Sequence, residues 1–146
     1  MQLRKLQSQD FQQWMVLWKE YLVFYQSDLA EQQSQLTFKR LLDIHEPMGC
    51  FVLEVDHKFV GFVHYIFHKS TWTEGDYCYL QDLYVKASHR SHGLGKKLIE
   101  AVYAEAAQKQ CSRVYWLTHE NNQTARKLYD HVAQNTGFIQ YRKNLK

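Results

Sequence analysis

The sequence has little of what interrupts or staples a chain. Of 146 residues, one is proline and six are glycine. No stretch reads as a linker, an internal repeat or a low-complexity tract. No apolar run approaches the ~20 residues that a spanning helix needs. The N-terminus, MQLRKLQSQDFQQW, lacks the uninterrupted apolar segment of a secretion signal, so the expected location is the cytosol. The three cysteines, Cys50, Cys78 and Cys111, are odd in number and widely spaced, which speaks against a disulfide framework. Each falls in or beside an apolar segment and reads as a small buried hydrophobe. No histidine or cysteine set has the spacing of a zinc site, and no metal is expected. A dense Lys/Arg stripe is also missing, which weakens a nucleic-acid-binding reading.

What is present is a core. Hydrophobic residues make up 45% of the chain and aromatics 15%, enough for one compact domain over residues 1–146. The charge is unevenly spread. Residues 1–85 hold 7 Lys/Arg against 11 Asp/Glu, a net of −4, whereas residues 86–146 hold 11 against 4, a net of +7. One reading is ordinary solvated surface. The other is an anionic ligand handled by the second half and a cationic one by the first.

Met1–Leu6 reads as a short strand. Phe11, Trp14, Met15, Trp18, Tyr21, Leu22 and Tyr25 recur at helical spacing, predicting a helix from Asp10 to about Gln26. A second helix is expected over Ser34–Ile44, and Pro47-Met48-Gly49 breaks the chain. CFVLEVDHKFVGFVHYIF is apolar around Asp56-His57-Lys58, a hairpin signal. YCYLQDLYV (77–85) is a strand, 93–110 a helix, 113–118 a strand, 123–134 a helix ended by Gly137, and Phe138–Asn144 a last strand. The order β-α-α-β-β-β-α-β-α-β is an α/β single domain, a mixed central sheet with about four helices.

Chemistry concentrates in LYVKASHRSHGLGKKLIEA (83–101). A strand ends, a polar loop follows, and Gly93 and Gly95 open a helix. Such a turn aims free amide N–H groups and the positive helix end at one point, and a missing Cβ lets an anion approach. Arg90, Lys96 and Lys97 add positive charge, so a phosphate or pyrophosphate is the natural ligand. The dinucleotide pattern fails at Leu98, and the nucleoside-triphosphate loop fails at Arg90 and Lys97. Arg90-x-x-Gly93-x-Gly95 remains.

That segment, with Tyr84-Val85 placed eight residues before Gly93, resembles the coenzyme A pyrophosphate loop of the GCN5-related N-acetyltransferase (GNAT) family. THENNQTARKLYDHVAQNTGF (118–138) resembles the family's Asn-x-x-Ala-x-x-x-Tyr signature at Asn122, Ala125 and Tyr129. LQDLYV is similar to the subgroup that holds the spermidine/spermine and the small fungal histone/polyamine acetyltransferases. One departure stands out. Asp130–Thr136 separate Tyr129 from Gly137-Phe138 more widely than in the family, implying a longer last helix or a bulge before the final strand.

The resemblance implies transfer of an acetyl group from acetyl-CoA to a primary amine: a polyamine, a lysine side chain or another small amine. It places the cofactor on Tyr84, Val85, Arg90, Ser91, His92, Gly93, Leu94, Gly95, Lys96, Asn122 and Ala125. A Val85 main-chain N–H holds the acetyl oxygen, and Tyr129 is the acid that protonates the thiolate. Asn122 reads equally as a helix N-cap. The base is open among Asp82, Glu120 and Glu54. Tyr21, Tyr25, Asp28 and Glu120 suit an amine cation on the acceptor side. The subgroup also implies a homodimer through the C-terminal strand. Two other classes stay open: a non-catalytic coenzyme A-binding module, and a nucleic-acid binder using the basic second half.

Overall fold

The computed structural model describes residues 1–146. Strand β1 (Gln2–Lys5) leads to helices α1 (Phe11–Phe24) and α2 (Glu31–Leu42). Strands β2 (Met48–Val55), β3 (Lys58–His68) and β4 (Tyr77–Val85) follow. Helix α3 (Leu94–Gln108), strand β5 (Arg113–Tyr115) and helix α4 (Gln123–Val132) complete the regular structure. The five strands form one mixed sheet in the order β1-β2-β3-β4-β5, antiparallel except for the parallel β4–β5 pair. The expected α/β class and element order therefore hold up to the last strand.

Alternation along the strands feeds two cores, one on each face of the sheet. Trp14, Met15, Leu17, Trp18 and Leu22 of α1 and Phe38 and Leu41 of α2 bury against Cys50, Val52, Phe59 and Phe62. On the other face Leu94, Leu98, Ile99, Val102 and Ala106 of α3 bury against Phe51, Leu53, Val60, Val63, Tyr65, Cys78 and Leu80, and Leu128, Tyr129 and Val132 of α4 pack there too. Each fully buried large side chain contributes on the order of 2 kcal/mol. Asp56 and His57 adopt φ of 51° and 65°, the paired left-handed geometry that matches hairpin twist, so this turn forms without Asn-Gly.

Three sequence expectations are corrected. Helix α4 ends at Val132, where Ala133 is already extended, and not at Gly137. It is therefore no longer than a few turns, and residues 133–137 take up the wide spacing before Gly-Phe as irregular chain. Phe138–Asn144 is not a strand: residues 133–146 have no regular structure, and Phe138, Ile139 and Tyr141 are exposed. A strand needs a neighbour's hydrogen bonds, and the last one in this sheet, β5, is only three residues long. The 113–118 strand is correspondingly shortened to Arg113–Tyr115.

Candidate active site

Strands β4 and β5 pair only over Tyr77–Tyr79 and Arg113–Tyr115, whereas β4 stays paired to β3 as far as Val85. From Leu80 onward the two parallel strands part and leave an open wedge. Lys86 donates its N–H to the Val60 carbonyl. By antiparallel alternation, Tyr84 and Asp82 also bond toward β3, so the N–H and C=O groups of Leu83 and Val85 turn into the wedge. The Val85 carbonyl accepts from Arg90 Nε at 2.8 Å.

A bulge sets which side chains face which layer. His64 stands opposite Asp82 but Tyr65 stands opposite Leu80, so Gln81 is an extra residue in β4. Leu80 and Leu83 both reach the α3 side, while Asp82 and Tyr84 turn toward α1. Were Gln81 instead in regular alternation, Leu80 and Asp82 would share a face.

Asp82 closes a buried polar chain. Tyr21 Oη donates to Asp82 Oδ1 at 2.7 Å, His64 Nδ1 lies 2.9 Å from Asp82 Oδ2, and Trp14 Nε1 donates to His64 Nε2 at 3.0 Å. Indole N–H is only a donor, so Nε2 is the acceptor and the ring proton sits on Nδ1, where it donates to Asp82. Burial, then the Asp82 charge, raises the Tyr21 hydroxyl far above the usual phenol range, and the same two causes raise Tyr25. Tyr21, Tyr25 and Tyr84 pack edge to face or tilted, at 4.9 Å between Tyr21 and Tyr25 and 6.1 Å between Tyr21 and Tyr84.

At the wedge mouth, Gly93 caps α3 with φ of 74°, and Ser91 is also left-handed at 67°. The first-turn N–H groups of Leu94, Gly95 and Lys96 have no carbonyl one turn back inside the helix. A Cβ on Gly93 would meet nothing within 4 Å, so the space in front of it is open. Gly95 differs from the expectation that both glycines face an anion, since its Cβ would lie 3.2 Å from Leu128 Cδ2. That glycine admits α4 against α3. His92 Nδ1 donates to the Arg90 carbonyl at 2.8 Å, Lys96 pairs with Glu100, and the Arg90 guanidinium lies over the Phe24 and Tyr84 rings.

Across the wedge, α4 presents Tyr129, half-buried and edge-on to Trp116 at 5.3 Å. Burial, with the nearby Tyr25 as a second cause, pushes its hydroxyl up to about 12. Asn122 occupies the N-cap position, but its side chain makes no capping bond; it donates to Thr118 Oγ1. Ala125 lies in the first turn of α4. Asp28 and Glu120 sit in exposed links, and neither carboxylate is paired within the chain. Only the Glu120 carbonyl is used, by Arg126.

The structure thus brings Tyr21, Tyr25, Asp82, Tyr84 and Tyr129 around one wedge, with the 90–93 loop and the first turn of α3 at its mouth. The carboxylates of Asp28 and Glu120 make no hydrogen bond or ion pair with that group. Glu54, a third candidate base, is tied to Arg4 in β1. Sequence reasoning missed His64 as a partner of Asp82, and Trp14 as the donor to His64. The available signal was a lone polar residue inside the apolar strand Gly61–Phe67. The wedge suits an extended ligand with an anionic end, which amide donors and cations can hold at one end and edge N–H groups along its length.

Comparison with known proteins agrees. The model of the acetyltransferase (GNAT) family matches residues 4–133. The chain is 33% identical over 144 residues to the D-amino-acid N-acetyltransferase HPA3 of Saccharomyces cerevisiae, covering 97% of this chain and 89% of that protein. It is 40% identical over 70 residues to the thialysine N-epsilon-acetyltransferase of Bos taurus, covering 48% and 41%. Among solved structures, a soil-metagenome aminoglycoside acetyltransferase in complex with trehalose superposes with a TM-score of 0.86 at 20% identity, over 99% and 96% of the two chains. Matched along nearly its whole length by the family and by a yeast relative, the chain belongs to the acetyltransferase (GNAT) family: it is an N-acetyltransferase whose acetyl donor is acetyl-CoA.

Proposed function

We propose that residues 1–146 act as one catalytic domain that acetylates a small primary amine, an amino acid or polyamine carried as its cation, within the wedge between β4 and β5. The observation that carries this is the parting of the two strands after Tyr79, with edge amides inside and an uncapped helix start at the mouth. Acetyl-CoA supplies an activated acyl carbon and a thiolate leaving group. The chain supplies the rest. The loop Arg90-Ser91-His92-Gly93 and the N–H groups of Leu94, Gly95 and Lys96 hold the pyrophosphate end. The edge amides of Leu83 and Val85 hold the arm and the acetyl oxygen, with Tyr84 behind them. Asn122 and Ala125 border the arm from α4. Tyr129 gives its proton to the thiolate, a role that a neutral phenol can fill.

The acceptor side is aromatic and acidic: Tyr21, Tyr25 and Asp82 at the wedge, with Asp28 and Glu120 on the flanking links. Such a surface favours an amine cation. Two relatives act on amino acids by name, on D-amino acids in yeast and on thialysine in cattle, which favours an amino-acid amine over a peptide one. We also assign a homodimer to this protein, because Phe138, Ile139 and Tyr141 stand exposed on the tail and the β5 edge of the sheet is free. The test of the activity is thiol release from acetyl-CoA with D- and L-amino acids, thialysine and spermidine. Turnover with at least one is expected. Tight acetyl-CoA binding without thiol release from any of them would mark a non-catalytic module instead.

A further inference from the structure

Asp82 is poorly placed to meet a substrate directly. Its side chain is only 12% exposed, and each of its oxygens already accepts a bond, from Tyr21 and from His64. The Tyr21 oxygen is different. It donates inward to Asp82, and no group of the chain donates to it, so acceptor capacity remains. Resting on the N-acetyltransferase reading, we propose that Tyr21 is the group that meets the acceptor ammonium and takes its proton, with Asp82 as the sink behind it and with His64 and Trp14 as positioning residues.

The proton steps balance. The ammonium gives one proton to the Tyr21 oxygen as the Tyr21 proton passes to Asp82 Oδ1, 2.7 Å away. The amine, now neutral, forms the C–N bond as the C–S bond breaks. Tyr129 protonates the thiolate. The second nitrogen proton restores Tyr129, and Asp82 later returns its proton to solvent by the same route. One proton is released per turnover.

His64 cannot extend the relay. Its Nε2 accepts from Trp14, and a proton placed there would set two N–H groups face to face at 3.0 Å. Trp14 therefore fixes one neutral tautomer, and His64 in turn fixes the Asp82 carboxylate with Oδ1 toward Tyr21. Tyr21 itself is clamped by Trp18, stacked at 5.5 Å, and by Phe62, edge-on at 5.6 Å. The other titratable groups near Asp82 are Tyr25 at the C-cap of α1, Cys50 on β2 and Tyr79 on β4. Arg90, in the loop after β4, acts on Tyr25.

The experiment compares wild type, Tyr21→Phe, Asp82→Asn and the double variant, each checked by thermal melting. Calorimetric titration with acetyl-CoA tests the family reading separately: a wild type that does not bind overturns that reading, whatever the relay does. Thiol release with thialysine, D-lysine and spermidine is then followed from about pH 6 to about pH 10. Tyr21→Phe is expected to bind acetyl-CoA normally and to lose about 10²-fold in kcat/KM for the amine near neutrality. That deficit should shrink toward high pH, where solvent supplies the free amine. Asp82→Asn should behave alike, and the double variant no worse than either single one. A deficit independent of pH, or losses that multiply, would overturn the relay. A second readout needs no acceptor. Nitrogen-15 spectra of wild type should show His64 neutral with its proton on Nδ1, and a ring protonated on Nε2 would equally overturn it.

Discussion

Tyr129 shows what one residue takes from its surroundings. No group in the chain bonds its hydroxyl, and no buried side-chain polar atom is left unpaired, so the hydroxyl is open to solvent. With its acidity weakened to about 12 by burial, the phenol stays protonated across the neutral range. A donor must carry its proton, so raising the pH costs the acid nothing until that value is approached. The pH–rate profile is therefore expected to show no falling limb from this group below about pH 10. Tyr129→Phe should lower kcat by about 10²-fold with acetyl-CoA affinity nearly unchanged. Equal loss of turnover and affinity, by steady-state kinetics beside calorimetry, would count against the acid role. The Trp116 contact survives that substitution, so packing is not what the comparison reads.

At the scale of elements, the start of α3 and the bulge in β4 do the positioning. Gly93 holds a left-handed φ that asparagine and aspartate tolerate better than other side-chain-bearing residues. Gly93→Asn and Gly93→Asp are therefore expected to melt within a few degrees of each other. Only the aspartate sets a negative charge where the diphosphate would sit. Gly93→Asp should lose acetyl-CoA binding at least tenfold more than Gly93→Asn, read by calorimetry at fixed ionic strength. Parallel losses in the two would mean that the loop binds by shape alone. In β4 the bulge at Gln81 puts Leu80 and Asp82 on opposite faces, so that the acidic side chain meets α1 and not α3. That single insertion gives Tyr21 and His64 their common partner.

For the whole molecule, two helical layers enclose a sheet that is well buried in its middle and open at one edge. After α4 comes a tail with Phe138 at 91% exposure and Tyr141 at 90%. Exposed aromatics on an irregular segment, in a molecule whose β5 is an edge strand, favour pairing with a second copy. Light scattering should give the full chain a mass near twice 17.5 kDa, and a chain ending at Ala133 should give the single mass. A full chain of single mass would remove the dimer. The active-site wedge is built within one copy, so the shortened chain should keep acetyl-CoA binding.

Local signals in the sequence determined a good deal: the helical faces of α1 and α3, the hairpin around Asp56-His57, and the glycine loop that opens α3. Each is a property of neighbouring residues, periodicity or turn chemistry, and needs no partner to be legible. The resemblance to a family followed from the same stretch. Tertiary structure alone decided the register and its consequences. The slip at Gln81, the chain of Asp82, His64 and Trp14, and the parting of β4 from β5 depend on pairing between segments up to 50 positions apart along this chain. So does the fate of Phe138–Asn144, which has the composition of a strand and no long strand beside it. Strand patterning says which residues alternate; only the pairing of strands says which face each one takes.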